Sequence, residues 1–131
     1  MQLPITTTRI QLRFSDTDAV GHISSGSYIT YLELARTDFL TELSKVSEVP
    51  MNVVVNINID YISETMYGED VYVTTWCSKL GNKSMTLSSE IYANDRLVSR
   101  GQATVVGFDL ASRTSVALPS SWEASSGGNI E

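Results

Sequence analysis

Between Tyr28 and Leu43 the apolar residues Tyr28, Leu32, Ala35, Phe39 and Leu43 follow one another at steps of four, three, four and four. That is the period of one helix face. Ile29, Tyr31 and Leu40 widen the stripe, while Thr30, Glu33, Thr37, Thr41 and Glu42 keep largely to the other side. Downstream the chain alternates with period two instead. It must therefore find a fold in which one long helix, apolar along a broad face, is covered by strands. Ser24 or Ser25 stands where a hydroxyl can cap the first turn. The polar stretch from Ser44 to Pro50 predicts the helix end.

Ahead of the helix, Ile10, Leu12 and Phe14 alternate with Arg9, Gln11 and Arg13, which predicts a half-buried strand over 7–14. After it, Val53 to Ile62 is the cleanest alternation in the chain. Val55, Ile57, Ile59 and Tyr61 take one face, and Asn56, Asn58 and Asp60 take the other. In 71–78, Val71, Val73 and Cys77 oppose Tyr72, Thr74 and Trp76. Gly81-Asn82 then turns the chain into a strand with Met85, Leu87 and Ile91, and Asn94-Asp95 turns it into 97–108. Such short turns make the last three strands an antiparallel meander.

The fold predicted is α+β: one long central helix wrapped by a five-stranded, mostly antiparallel sheet. At 131 residues the chain is a single domain, placed at 1–119, with the Ser/Gly-rich stretch 120–131 expected as a flexible tail. One helix under one sheet leaves surface uncovered, so a homodimer or homotetramer is expected. With 9 basic against 15 acidic residues and no basic run, no nucleic-acid partner is expected. No apolar run nears the roughly 18 residues of a membrane span, so no membrane partner is expected. The start, MQLPITTTR, lacks the order of a signal peptide, and with the single Cys77 this points to the cytoplasm.

The candidate chemistry sits just before the helix. Asp16 and Asp18 lie one residue apart, and a turn through Gly21, His22, Ser24, Ser25 and Gly26 leads into the helix. Carboxylates there are commonly turn formers or caps. They can also serve as base or nucleophile beside unpaired, dipole-aligned N–H groups that would hold an oxyanion. Asp-x-Asp could hold a metal, but a single histidine and no second acidic motif leave the ligand set short, so none is expected. There is no G-x-S-x-G elbow, and the only histidine shares a turn with the candidate acid, so a serine hydrolase lacks its parts.

The run RFSDTDAVGHISSGSYITYLELAR, Arg13 to Arg36, resembles the opening of the 4-hydroxybenzoyl-CoA thioesterase-like family of the hotdog-fold superfamily. Arg13, Asp16, Asp18, Gly21, His22, Tyr28, Tyr31, Glu33, Ala35 and Arg36 fall in register with its pattern. IDYISETMYGEDVYV, LGNKSMTLSSEIY and VVGFDLASRTSVALP resemble its later strands, so the likeness covers about residues 5 to 119. Where many relatives carry two Asn, this chain has Ser24 and Ser25.

The resemblance implies acyl-CoA thioesterase activity, with no cofactor beyond the coenzyme A carried by the substrate. It implies catalytic roles for Asp18, for the backbone N–H of Ser25 and for His22 near the thioester. Asp16 is expected to anchor the turn. Tyr28 is a core or acyl-pocket residue. Lys83 and Ser84, at the 81–82 hairpin with Lys79, are candidate contacts for the CoA moiety. A non-catalytic acyl-thioester binder and an enoyl-thioester hydratase or dehydratase are the alternatives. Acyl-chain identity, CoA against acyl-carrier protein, and nucleophile against general base stay open.

Overall fold

The helical stripe folds as expected. In a computed structural model, which describes residues 1–125, α1 (Ser25–Ser44) buries Tyr28, Leu32, Ala35, Phe39 and Leu43 together with Tyr31. The strands are β1 (Ile5–Ile10), β2 (Asn52–Tyr61), β3 (Val71–Leu80), β4 (Ser84–Ala93) and β5 (Arg96–Asp109), with a two-residue β6 (Thr114–Ser115) pairing β5. They form one antiparallel sheet in the order β1-β3-β4-β5-β2. The predicted meander is β3-β4-β5. Asn94 and Asp95 both adopt positive φ, at 49° and 63°, as a tight hairpin turn of this hand requires.

Two core clusters divide the helix. The first packs Tyr28, Tyr31, Leu32 and Ala35 against Ile10, Val71, Val73 and Ile91. The second packs Phe39 and Leu43 against Met85, Leu87, Val105 and Trp122. Gly101 leaves room for the Leu32 side chain against the sheet, because a Cβ there would stand 2.5 Å from Cδ1 of Leu32. Any side chain at that position would force the Leu32 side chain to move.

Several expectations are corrected. β1 ends at Ile10, and its inward residues are Thr6, Thr8 and Ile10. A 3₁₀ turn, Phe14–Asp16, then swings Phe14 outward to 78% exposure, edge-on to Tyr67. Ser24 does precede the helix, but its hydroxyl makes no capping bond and meets Ser27 Oγ at 2.9 Å. The tail expected from Ser120 is packed through residue 125. Trp122 is buried and donates Nε1–H to Ser47, Leu3 N–H donates to Glu123 O, and Ser125 N–H donates to Cys77 O. A large indole over the second cluster outweighs the Ser/Gly composition around it. Residues 126–131 of that expected tail lie outside the described residues.

β2 departs most from its pattern. Val55, Ile57 and Tyr61, expected on a buried face, are all exposed, and Ile59 alone of the four packs partly on the core. The strand is the sheet's edge, and a bulge between Val54 and Asn56 breaks its register with β5. Asn58 and Asp60, paired with Gln102 and Arg100, lie on the sheet face away from Ile57, Ile59 and Tyr61.

Candidate active site

The turn carrying the two aspartates is locked from below by the first of them. Asp16 is buried, and its carboxylate accepts from Arg13 N–H at 3.0 Å, from the Arg13 guanidinium at 3.1 and 2.8 Å, and from Tyr31 O–H at 2.8 Å. Burial alone would raise its pKa. The bonds from Arg13 and Tyr31 outweigh that and hold the carboxyl below the usual range. The same contact, added to burial, pushes the Tyr31 phenol well up. The backbone carbonyl of Asp16 also accepts from Ser24 N–H at 2.8 Å and from Ser27 Oγ at 3.0 Å, so the turn is bolted to the first turn of α1.

Asp18 sits at the surface of this frame. Its Oδ1 accepts Val20 N–H at 2.9 Å and His22 N–H at 3.0 Å, while its own N–H donates to His22 O. Gly21 closes the loop at φ +85°, a conformation that strains any L side chain. Among the described residues nothing donates to Asp18 Oδ2. One carboxylate oxygen is thus held by the turn and the other carries no such bond, and Asp18 lines an open cleft of about 510 Å³ together with His22, Ser25, Tyr28, Tyr61 and Glu64.

The start of α1 forms one wall of that cleft. Ser24 N–H and Ser27 N–H are bonded, but Ser25 N–H, at the first helical position, makes no hydrogen bond among the described residues, as expected of a first-turn donor. The other wall is a strap, 62–66, joining β2 to β3. Ile62 and Ser63 N–H donate to Val98 O, Ile23 N–H donates to Thr65 O, and Arg96 donates to Glu64 O. Tyr28, buried, donates its hydroxyl to Thr65 Oγ1 at 2.8 Å and is among the residues lining the cleft. Tyr61 O–H donates to Ser25 O at 2.9 Å. His22 is partly exposed, with Nε2 4.0 Å from Glu64 Oε1.

The structure therefore brings Asp18, His22, Ser25 and Tyr28 into one cleft. It does not bring Lys83 and Ser84 there. Ser84 shares a ladder position with Val106 and Val53, and the cleft adjoins Tyr61, eight residues along β2. That separates them by roughly 25 Å within one chain. Thr65, Ser27 and Glu64 escaped sequence reading: each is an ordinary polar residue with a partner outside its own turn, Tyr28 for Thr65, Asp16 O for Ser27 and His22 for Glu64. No group of three or more His, Cys, Asp or Glu side chains among the described residues is placed to hold a metal ion.

One helix wrapped by an antiparallel sheet, with an acidic turn at the helix start, is the hotdog fold, and the chain belongs to the thioesterase-like superfamily, whose model matches residues 12–125. It is 31% identical over 81 residues to the uncharacterized protein YsmA of Bacillus subtilis (strain 168), a match covering 60% of this chain and 55% of that one, so it spans little more than half of that relative's length. It is 29% identical over 117 residues to the long-chain acyl-CoA thioesterase FadM of Escherichia coli (strain K12), covering 85% and 89% of the two chains. Among solved structures, a predicted thioesterase from Bacillus stearothermophilus superposes with TM-score 0.80 at 28% identity, covering 89% of this chain and 90% of that one.

Proposed function

We propose that the protein is an acyl-CoA thioesterase, releasing free acid and coenzyme A, with the cleft at the start of α1 as its active site. Family membership supports thioester hydrolysis, and the name of the E. coli relative supports acyl-CoA as the substrate class. One observation carries the residue assignment. Asp18 offers one carboxylate oxygen fixed by backbone N–H groups and one free, in the same cleft as the unbonded N–H of Ser25.

In this reading the carbonyl oxygen of the thioester lies against Ser25 N–H, which takes up the charge developing there. Asp18 Oδ2 either removes a proton from a water that attacks the carbonyl carbon or attacks that carbon itself. Collapse re-forms the carbonyl and breaks the C–S bond. The electron pair goes to sulfur. In the first route the proton taken from water ends on it; in the second the thiolate leaves an acyl anhydride on Asp18, which a water hydrolyses to free acid and the restored carboxylate, its proton passing to the thiolate. His22 stands at the sulfur side of the cleft, and Tyr28 lines the acyl side. No cofactor enters beyond the coenzyme A of the substrate. We place this activity in the cytoplasm; no helix among the described residues is long and apolar enough to cross a membrane.

A single chain does not complete this site. β2 leaves a ten-residue edge unpaired, flanked by exposed Val53, Val54, Val55, Ile57 and Tyr61, the kind of edge that recruits another strand. A second copy pairing antiparallel along β2 about a two-fold axis sets one copy's Asn52 end beside the other's Tyr61 end. The 81–84 hairpin of one protomer, with Lys83 and Ser84, then approaches the cleft of its partner. We infer a homodimer, or a tetramer built from it, as the working unit.

The test is Asp18→Asn assayed against acyl-CoAs of short, medium, long and aromatic chains. Asn keeps an acceptor for the turn but cannot act as base or nucleophile, so kcat falls by about 10²–10⁴ while the melting point holds. Turnover within about threefold of the parent refutes the assignment. The same panel, followed for free CoA and for enoyl-CoA hydration, separates hydrolase, hydratase and silent binder. The binder reading draws on Ser24, whose hydroxyl is turned to Ser27 rather than to the cleft.

A further inference from the structure

Glu64 is a charged group of the cleft that the proposed chemistry does not use. Its backbone is held firmly. Arg96 donates to its carbonyl at 2.8 Å, its neighbour Ser63 is bonded to Val98 O, and its other neighbour Thr65 is tied to both Ile23 and Tyr28. Its side chain makes no hydrogen bond among the described residues and is 64% exposed, so the fold does not depend on the carboxylate. Yet this rigid strap delivers that carboxylate to 4.0 Å from Nε2 of His22, in the cleft that Asp18 lines. The other titratable groups lining the cleft are Asp18 on the histidine's own turn, Tyr28 on α1 and Tyr61 on β2; no basic side chain is among them.

We propose that Glu64 is a positioning residue for His22, accepting Nε2–H and so fixing which ring nitrogen is left for the substrate side. The inference rests on the thioesterase reading of the cleft for its consequence, though not for the contact itself. The backbone of His22 is already set by its N–H bond to Asp18 Oδ1, so the ring is the remaining freedom. A carboxylate on a separate, anchored segment removes it, and holding one nitrogen decides the tautomer. At 4.0 Å the two atoms stand just beyond hydrogen-bond distance, and such contacts commonly tighten when substrate excludes water.

The experiment uses the full chain with Glu64→Gln, Glu64→Asp, His22→Asn and the double variant His22→Asn/Glu64→Gln. Glu64→Gln keeps shape and melting point and lowers kcat about tenfold with KM within about twofold, the scale expected of a slightly misplaced group. Glu64→Asp restores part of the loss. The double variant is no slower than His22→Asn alone, because Glu64 acts only through the ring. Multiplying effects, or a Glu64→Gln rate within twofold of the parent, overturn the proposal.

A second readout does not need turnover. His22 is the chain's single histidine, so its ring carbon-bound proton signals are unambiguous by NMR. At fixed neutral pH they shift in Glu64→Gln and not in the remote Glu123→Gln. A parent that turns over no acyl-CoA sinks the thioesterase reading, and the ring signals still decide the pairing: signals unmoved by Glu64→Gln refute it.

Discussion

Tyr31→Phe removes one oxygen from the buried centre of the aspartate turn. The phenol is 2% exposed and donates at 2.8 Å to an Asp16 carboxylate that is equally buried. A hydrogen bond to a charged group contributes about 1.5–3 kcal/mol, and no water reaches this site to replace the lost donor. Arg13 is largely exposed and stays paired with Asp16 in the variant, so its contribution is left out of the sum. A loss of about 2 kcal/mol in a domain of this size lowers the melting point by roughly 6–10 °C.

The pH dependence has a definite sign. The Asp16 carboxyl is held below its usual range in the folded state, so the stability it contributes is present above the unfolded value of about 3.9 and is lost as pH falls through the folded value. The difference between parent and Tyr31→Phe is therefore flat from neutral pH down to about pH 5, and shrinks below about pH 4. Thermal and urea unfolding of both proteins across that range measure it. A variant melting within about 2 °C of the parent at pH 7 would refute the lock, as would a difference that grows on acidification.

Two further outcomes bear on the assembly. Sedimentation at micromolar concentration gives the mass of two or four 14.4 kDa chains, and a mass near one chain removes the β2 pairing from the account. Lys83→Glu raises KM for acyl-CoA well above its effect on a truncated pantetheine thioester, because only the former carries the phosphates. Equal effects on the two substrates would show that the hairpin does not meet the nucleotide.

The parts of the fold that were legible in sequence are those written in local period. The stripe from Tyr28 to Leu43 is a property of sixteen consecutive residues, and the turns at Gly81-Asn82 and Asn94-Asp95 are properties of two. The Asp16/Asp18 turn was legible for the same reason, since its bonds run to Arg13, Val20 and His22, all within four residues. Tyr31 and Ser27 reach it from the helix, 15 and 11 residues on, and their hydroxyls carry no local mark of that use. Thr65 meets Tyr28 across 37 positions. Glu64 meets His22 across a comparable gap, so the strap is invisible until the chain is folded. Trp122 failed differently: a Ser/Gly-rich setting argues for a loose end, but one indole has enough apolar surface to hold such a segment down.

The exposed edge strand β2 and the remote position of Lys83 both bear on the proposed dimer. Period-two alternation reports that a strand has an apolar face; it cannot say whether the cover comes from the same chain. In β2 the cover is missing over Val55, Ile57 and Tyr61, although β3 and β4 bury both of their faces for much of their length. A hairpin with Lys83 in its loop and Lys79 near the end of β3, in a chain of net charge −6, stands some 25 Å from the cleft proposed to take an anionic substrate. Each is unexplained in one protomer. In the proposed dimer an antiparallel partner along β2 pairs its open edge and extends the sheet beside these side chains and, because the two-fold axis reverses the strand, carries the hairpin toward the neighbouring cleft. In that dimer the length of β2 becomes a functional dimension: shifting the pairing by two residues, one side-chain repeat, would leave the edge paired and each side chain on its face while moving the hairpin along the partner's cleft.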